Sequence, residues 1–173
     1  MIKRILVPLD GSALAERVLD EARPLAQSLG STLVLIRVVP AQEDAVLYVP
    51  QLVDELREAH VRAAEEYLTT IAAHIATDQL PTETYVCVGA VAPTLADKAT
   101  ELHCDLIALT SHGMGGLGAA VFGSIALKLL HSAPCPVLVI RSTAGQLEGE
   151  EEAEESAADQ ALLRELSSTP AAR

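Results

Sequence analysis

The chain has 173 residues, half of them hydrophobic, which suits one domain with a sizeable core plus an appendage. Its 24 acidic residues outnumber 12 basic ones, and the net charge of −12 excludes the basic face that nucleic acid or an anionic membrane surface requires. Tyr48, Tyr67, Tyr85 and Phe122 are the whole aromatic set, too few for base-stacking on single strands.

Ile2–Pro8 is a short apolar run after Met1 and reads as a strand buried on both faces. Ser12–Gly30 predicts a helix: Ser12 is placed as an N-cap, Ala15, Val18, Leu19, Ala22, Leu25, Ala26 and Leu29 recur at helical spacing, and Gly30 is a stop. Pro24 inside it predicts a kink. Thr32–Val39 is a second apolar strand, followed by an irregular loop and a helix over Leu52–Ala76. Strands over Glu83–Val88, Asp105–Leu109 and Pro136–Arg141 alternate with helices over Pro93–Leu102 and Ile125–His131. Strand–helix alternation with near-continuous apolar strands implies an α/β fold, an open parallel sheet with helices on both faces.

Between the fourth strand and its helix lies TSHGMGGLGAAVFGS, Thr110–Ser124. Strand, glycine-rich loop and helix start form a ready anion site, because glycine lets the backbone approach and free N–H groups point at the ligand. Ser124 is placed as the N-cap. Gly113, Gly115 and Gly118 match the dinucleotide fingerprint, but that fingerprint belongs to a first strand–helix turn with an acid about 20 positions on. Here the next acid is Glu148, and no Walker A pattern exists. In an open sheet, ligands bind at the carboxyl ends of strands where the strand order reverses. If the first and fourth strands are neighbours, Leu9–Ser12 and Thr110–Gly123 meet there.

Residues 144–173 hold eight acids and two bases, a net −6 that is half the charge of the chain. We expect Met1–Thr143 to form the domain, and 144–173 a disordered acidic tail with room for a short helix over 159–166. Cys87, Cys104 and Cys135 show no metal spacing and sit among apolar residues, so they read as small buried hydrophobes in a reducing compartment. No apolar stretch reaches the roughly 18 residues that span a bilayer, and the opening run is too short for a signal peptide. The expected location is cytoplasmic, with no membrane and no nucleic acid partner.

Three blocks in order, ILVPLDGS (Ile5–Ser12), the glycine loop, and HSAPCPVLVIR (His131–Arg141), resemble the universal stress protein family over roughly Met1–Arg141. The loop follows that family's G-x2-G-x9-G-[S/T] pattern at Gly113, Gly123 and Ser124, with Thr110 in the first glycine's place and Met114 where relatives often carry a base. The resemblance implies a five-stranded, Rossmann-like sheet of order 3-2-1-4-5 and a bound adenine nucleotide, ATP or AMP/ADP, with Mg²⁺ as one means of bridging phosphates. It implies Asp10 at the adenine amino group or ribose; the competing reading is a turn residue bonding its own backbone. Pro8, Leu9 and Val38 would wall the base, with Leu109 and Thr110 beside them. Gly113, Gly123, Ser124 and Ile125 would give N–H groups to phosphate. His112 is either a ligand contact or a loop lock. The loop carries no Lys or Arg, so phosphate charge falls to backbone dipoles, Lys128 or Mg²⁺.

No partnered base or cationic clamp is legible, so a dimeric sensor or regulator is expected rather than a fast catalyst. A family scaffold that binds no nucleotide, and an adenylate-handling enzyme domain on a similar sheet, are the alternatives. The apolar run within Pro136–Arg141 falls at the expected sheet edge. An exposed apolar edge invites a second copy, so a homodimer through 136–141 is expected, as the resemblance also implies.

Overall fold

The computed structural model describes residues 1–41, 50–77, 79–111 and 122–141. They belong to one of the two compact units into which the chain divides, Met1–Ser142. The expected acidic tail and the 159–166 helix lie outside the described residues.

Five strands, β1 (Arg4–Pro8), β2 (Thr32–Val39), β3 (Thr82–Val88), β4 (Leu106–Thr110) and β5 (Val137–Ile140), form a parallel sheet of order β3-β2-β1-β4-β5. The expected α/β class and strand order are both present. Because side chains alternate along a strand, each strand feeds two cores. Ile5, Val7, Leu33, Leu35 and Ala108 pack on one face with residues of α2 (Val18–Leu29) and α3 (Pro50–Ile75). Leu6, Val34, Ile36, Ile107 and Leu109 pack on the other with α4 (Val91–Glu101) and α5 (Ser124–Ser132). Ile5, Leu6, Val7, Leu33, Val34, Leu35 and Ile36 are all fully buried, as a sheet covered on both sides requires.

Several boundaries depart from the sequence reading. β1 starts at Arg4 rather than Ile2, because the Lys3 and Arg4 N–H groups donate to Asp105 Oδ2 at 2.7 and 3.1 Å. The helix expected over 12–30 is two, α1 (Ala13–Glu16) and α2, with the interruption at Arg17 rather than at Pro24. Pro24 sits inside α2, so the missing N–H did not set the break. A tight bond from Asp20 N–H to Arg17 O at 3.2 Å closes the joint. Ser12 caps α1 as expected, accepting the Ala15 N–H at 3.1 Å. Gly30 ends α2 in the left-handed region at φ 61°, where its missing Cβ is an advantage. At the end of α4 the same conformation falls to His103, φ 51°, with the Cys104 N–H closing the turn on Ala99 O at 2.8 Å. The cap of α5 is Gly123, not Ser124, which is the first helical residue.

The amino ends of the strands are tied by charge. Arg4 makes a two-point pair with Glu83, at 2.9 and 2.7 Å, from β1 across β2 to β3. The Arg4 hydrogen bond holds the Glu83 carboxyl below its usual range, and the Lys3 and Arg4 N–H groups do the same for Asp105. Both folded values are depressed, so the stability these acids confer is present above the ordinary carboxylate range and lost as pH falls through the folded values. Urea midpoints of the parent and of an E83Q/D105N double variant should therefore differ at neutral pH and converge in acid. Midpoints that differ equally at both ends would refute the assignment. The effect is modest, because both side chains of the Arg4–Glu83 pair are partly exposed.

Candidate functional site

β1 and β4 are neighbours, and on either side of them the strand order runs in opposite directions. That junction is the switch point of the sheet. A cavity of about 590 Å³ lies there, within the range of a small-molecule site. The turn after β1 forms one wall. Asp10 Oδ1 accepts the Ser12 N–H at 3.0 Å and the Ser12 hydroxyl at 2.6 Å, and Gly11 takes φ 90° to allow the turn. This local bonding is the turn reading of Asp10, and Asp10 also lines the cavity.

Pro8, Leu9, Val38, Leu109, Thr110, Gly123, Ser124 and Ile125 all line the same space, although they come from four separate stretches of chain. The Leu9 N–H is committed to Ile36 O at 2.9 Å. Thr110 is not a loop residue: it ends β4, paired with Ile140, and is buried. His112, Gly113 and Met114 lie outside the described residues.

The start of α5 supplies donors. Gly123 itself cannot be one as expected, because its N–H donates to Ser111 O at 2.7 Å. The first helical bond runs from Leu127 N–H to Gly123 O at 3.0 Å, and no side chain caps this end. The N–H groups of Ser124, Ile125 and Ala126 therefore have no acceptor within the helix, as at any helix start, and all three residues line the cavity. Ala126 was missed because a backbone donor leaves no mark on residue type.

Other lining residues also escaped the sequence reading. Arg37 of β2 and His60 of α3 stand on one side, Val91 and Leu95 of α4 on the other. Arg37 is a lone cation in an apolar strand; its position at the carboxyl end of that strand was the available signal. Its guanidinium lies 5.0 Å from the centre of the Tyr67 ring. The Tyr67 hydroxyl donates to Glu16 Oε1 at 2.9 Å. Burial first, and then that bond, push the Tyr67 hydroxyl far above its ordinary pKa, so it stays a donor.

Of the three cysteines expected to be buried, Cys104 is, while Cys87 and Cys135 are only half-buried; desolvation raises all three thiols, Cys104 to about 11. Among the described residues no group of three or more His, Cys, Asp or Glu could hold a metal, and no helix is long and apolar enough to cross a membrane.

A doubly wound, Rossmann-like sheet with a ligand-sized cavity at its switch point defines the class. Within that class the chain belongs to the universal stress protein family, which matches residues 1–141. A universal stress protein of Thermus aquaticus is 33% identical over 142 residues, covering 82% of this chain and 100% of the relative. Another, Sll1388 of Synechocystis, is 29% identical over 149 residues, covering 80% and 97%. Among solved structures, the protein MJ0577 superposes with a TM-score of 0.74 at 23% identity, covering 83% of this chain and 99% of that one, which shows the fold. A universal stress protein in complex with cAMP is 25% identical with a TM-score of 0.54, covering 82% and 98%.

Proposed function

We propose that this protein binds an adenine nucleotide in the switch-point cavity and acts as a cytoplasmic sensor or regulator. The observation that carries the reading is the start of α5. Three adjacent residues with helix-start N–H groups line a cavity that Asp10 also lines, so an anion and a sugar can be held together. The cAMP complex of a relative supports an adenine ligand. Val38 and Leu109 are suited to wall the base, Asp10 to accept from the ribose, and Ser124, Ile125 and Ala126 to donate to phosphate. Mg²⁺ would assist where more than one phosphate is bound. On this reading the protein holds its nucleotide rather than consuming it. The test is anion-exchange analysis of nucleotide released from freshly purified, denatured protein, with calorimetry using AMP, cAMP and ATP. Absence of binding at millimolar nucleotide would favour a scaffold. Steady-state ATP turnover above about 1 s⁻¹ would make it an enzyme.

The acting form is a homodimer joined along β5. This strand is a sheet edge, and all four of its residues, VLVI, are half-buried. Pro136 O accepts the Ile107 N–H at 3.0 Å and Ile140 O accepts the Ser111 N–H at 2.8 Å, so the even-numbered residues face β4. By alternation Val137 and Val139 direct their polar groups to the open edge. A second copy would satisfy them and close the pair. Val139→Pro removes an outward donor without touching the β4 ladder. Light scattering should give a dimer for the parent and a monomer for this variant. A monomeric parent, or a variant that stays dimeric, would place the interface elsewhere.

A further inference from the structure

The cavity has a second polar side, formed by Arg37 and His60. Arg37 continues the row of Leu33 and Leu35, on the sheet face covered by α2 and α3. The helix start of α5 lies over the opposite face, where Ala126 and Leu129 pack. Arg37 and the α5 donors therefore border one cavity from two sides.

The guanidinium is fixed in place. A Cβ on Gly11 would stand 3.1 Å from both of its terminal nitrogens, so glycine there is needed for the close approach as well as for φ 90°. The Tyr67 ring holds the guanidinium from α3, and Glu16 holds Tyr67. No ion pair or hydrogen bond joins the Arg37 guanidinium to a described residue. A half-buried, pre-oriented planar cation on a cavity wall is suited to two-point binding of an oxyanion. His60 stands on the same wall and adds a donor.

Position decides which oxyanion. Arg37 packs on Gly11, the residue after Asp10. On the reading above, Asp10 meets the ribose. In dinucleotide sites either an acid takes the free ribose hydroxyl or an arginine nearby accommodates a phosphate on the ribose. Here both stand at one turn, so Asp10 can accept from the hydroxyl left free while Arg37 takes the phosphate on the other. We propose that the cavity takes an adenine nucleotide carrying a second phosphate on its 2′ or 3′ ribose oxygen, with the 5′-phosphate at the α5 start and the ribose phosphate on Arg37. This rests on the nucleotide reading and sharpens it.

Calorimetry on the full chain at constant salt, with AMP, adenosine 2′,5′-bisphosphate and adenosine 3′,5′-bisphosphate, tests it. One bisphosphate should bind about tenfold or more tightly than AMP, about 1.4 kcal/mol. Arg37→Gln should erase that preference, and Arg37→Lys should keep part of it, because an ammonium retains charge without the planar fork. If AMP binds and neither bisphosphate binds more tightly, this inference falls and the nucleotide reading stands. A preference that survives Arg37→Gln in a folded variant also overturns it. If neither AMP nor the bisphosphates bind, both fall together.

Discussion

Replacing Gly123 by valine should weaken AMP binding at least about tenfold while leaving the protein folded. Gly123 is the N-cap of α5 and lines the cavity beside Ser124 and Ile125. Its backbone sits at φ −57°, ψ 153°, an extended conformation valine adopts readily, so the change adds little strain. The branched side chain instead narrows the approach to the three helix-start N–H groups. Hydrogen bonds to a charged group are worth about 1.5–3 kcal/mol each, so losing one is enough for the expected effect. Calorimetry measures the affinity and a thermal melt checks the fold. Unchanged affinity in a folded variant would move the phosphate away from α5.

Leu35→Ala should cost about 2–5 kcal/mol of stability, a large share of the roughly 5–15 kcal/mol a domain commonly has. Leu35 is fully buried in β2, between Val7 of β1 and Thr84 of β3. Its side chain belongs to the cluster of Val7, Leu68 and Ala108, so truncation leaves a cavity walled by the sheet and α3. Leu56→Ala on α3, where the leucine is 43% exposed, should change stability by less than about 0.5 kcal/mol. Urea denaturation of both variants reads the difference. Similar losses at the two positions would mean that burial does not govern this fold.

The three inner strands β1, β2 and β4 were legible because strands buried on both faces read as unbroken apolar runs. Thr32–Val39 is matched at both ends, with Gly30 before it and Pro40 after it marking the limits. The division of the first helix was not legible: Pro24 drew attention, but a helix can retain a proline when packing holds the turn, and the break lies at Arg17. Asp10 and the end of the glycine loop could be joined because a switch point is a property of strand order. Arg37 could not be placed, since its role depends on the turn at Gly11 and on Tyr67 of α3, both distant from it in sequence. Ala126 contributes a backbone N–H, and the Gly123 N–H is withdrawn by Ser111; neither is written in side-chain chemistry.

The central position of β1 has a consequence for the order in which the chain can fold during synthesis. Its first partner, β2, follows closely, but its second, β4, is made only after about three-quarters of the domain. Until Leu106–Thr110 leaves the ribosome, one edge of β1 has no neighbour, and Ile5–Val7 border an open seam rather than a closed core. Such an edge can recruit strands from other nascent chains. The switch point that creates the cavity is therefore also where the central strand gains its second neighbour, and the binding site is completed only later, when α5 follows β4 out of the ribosome.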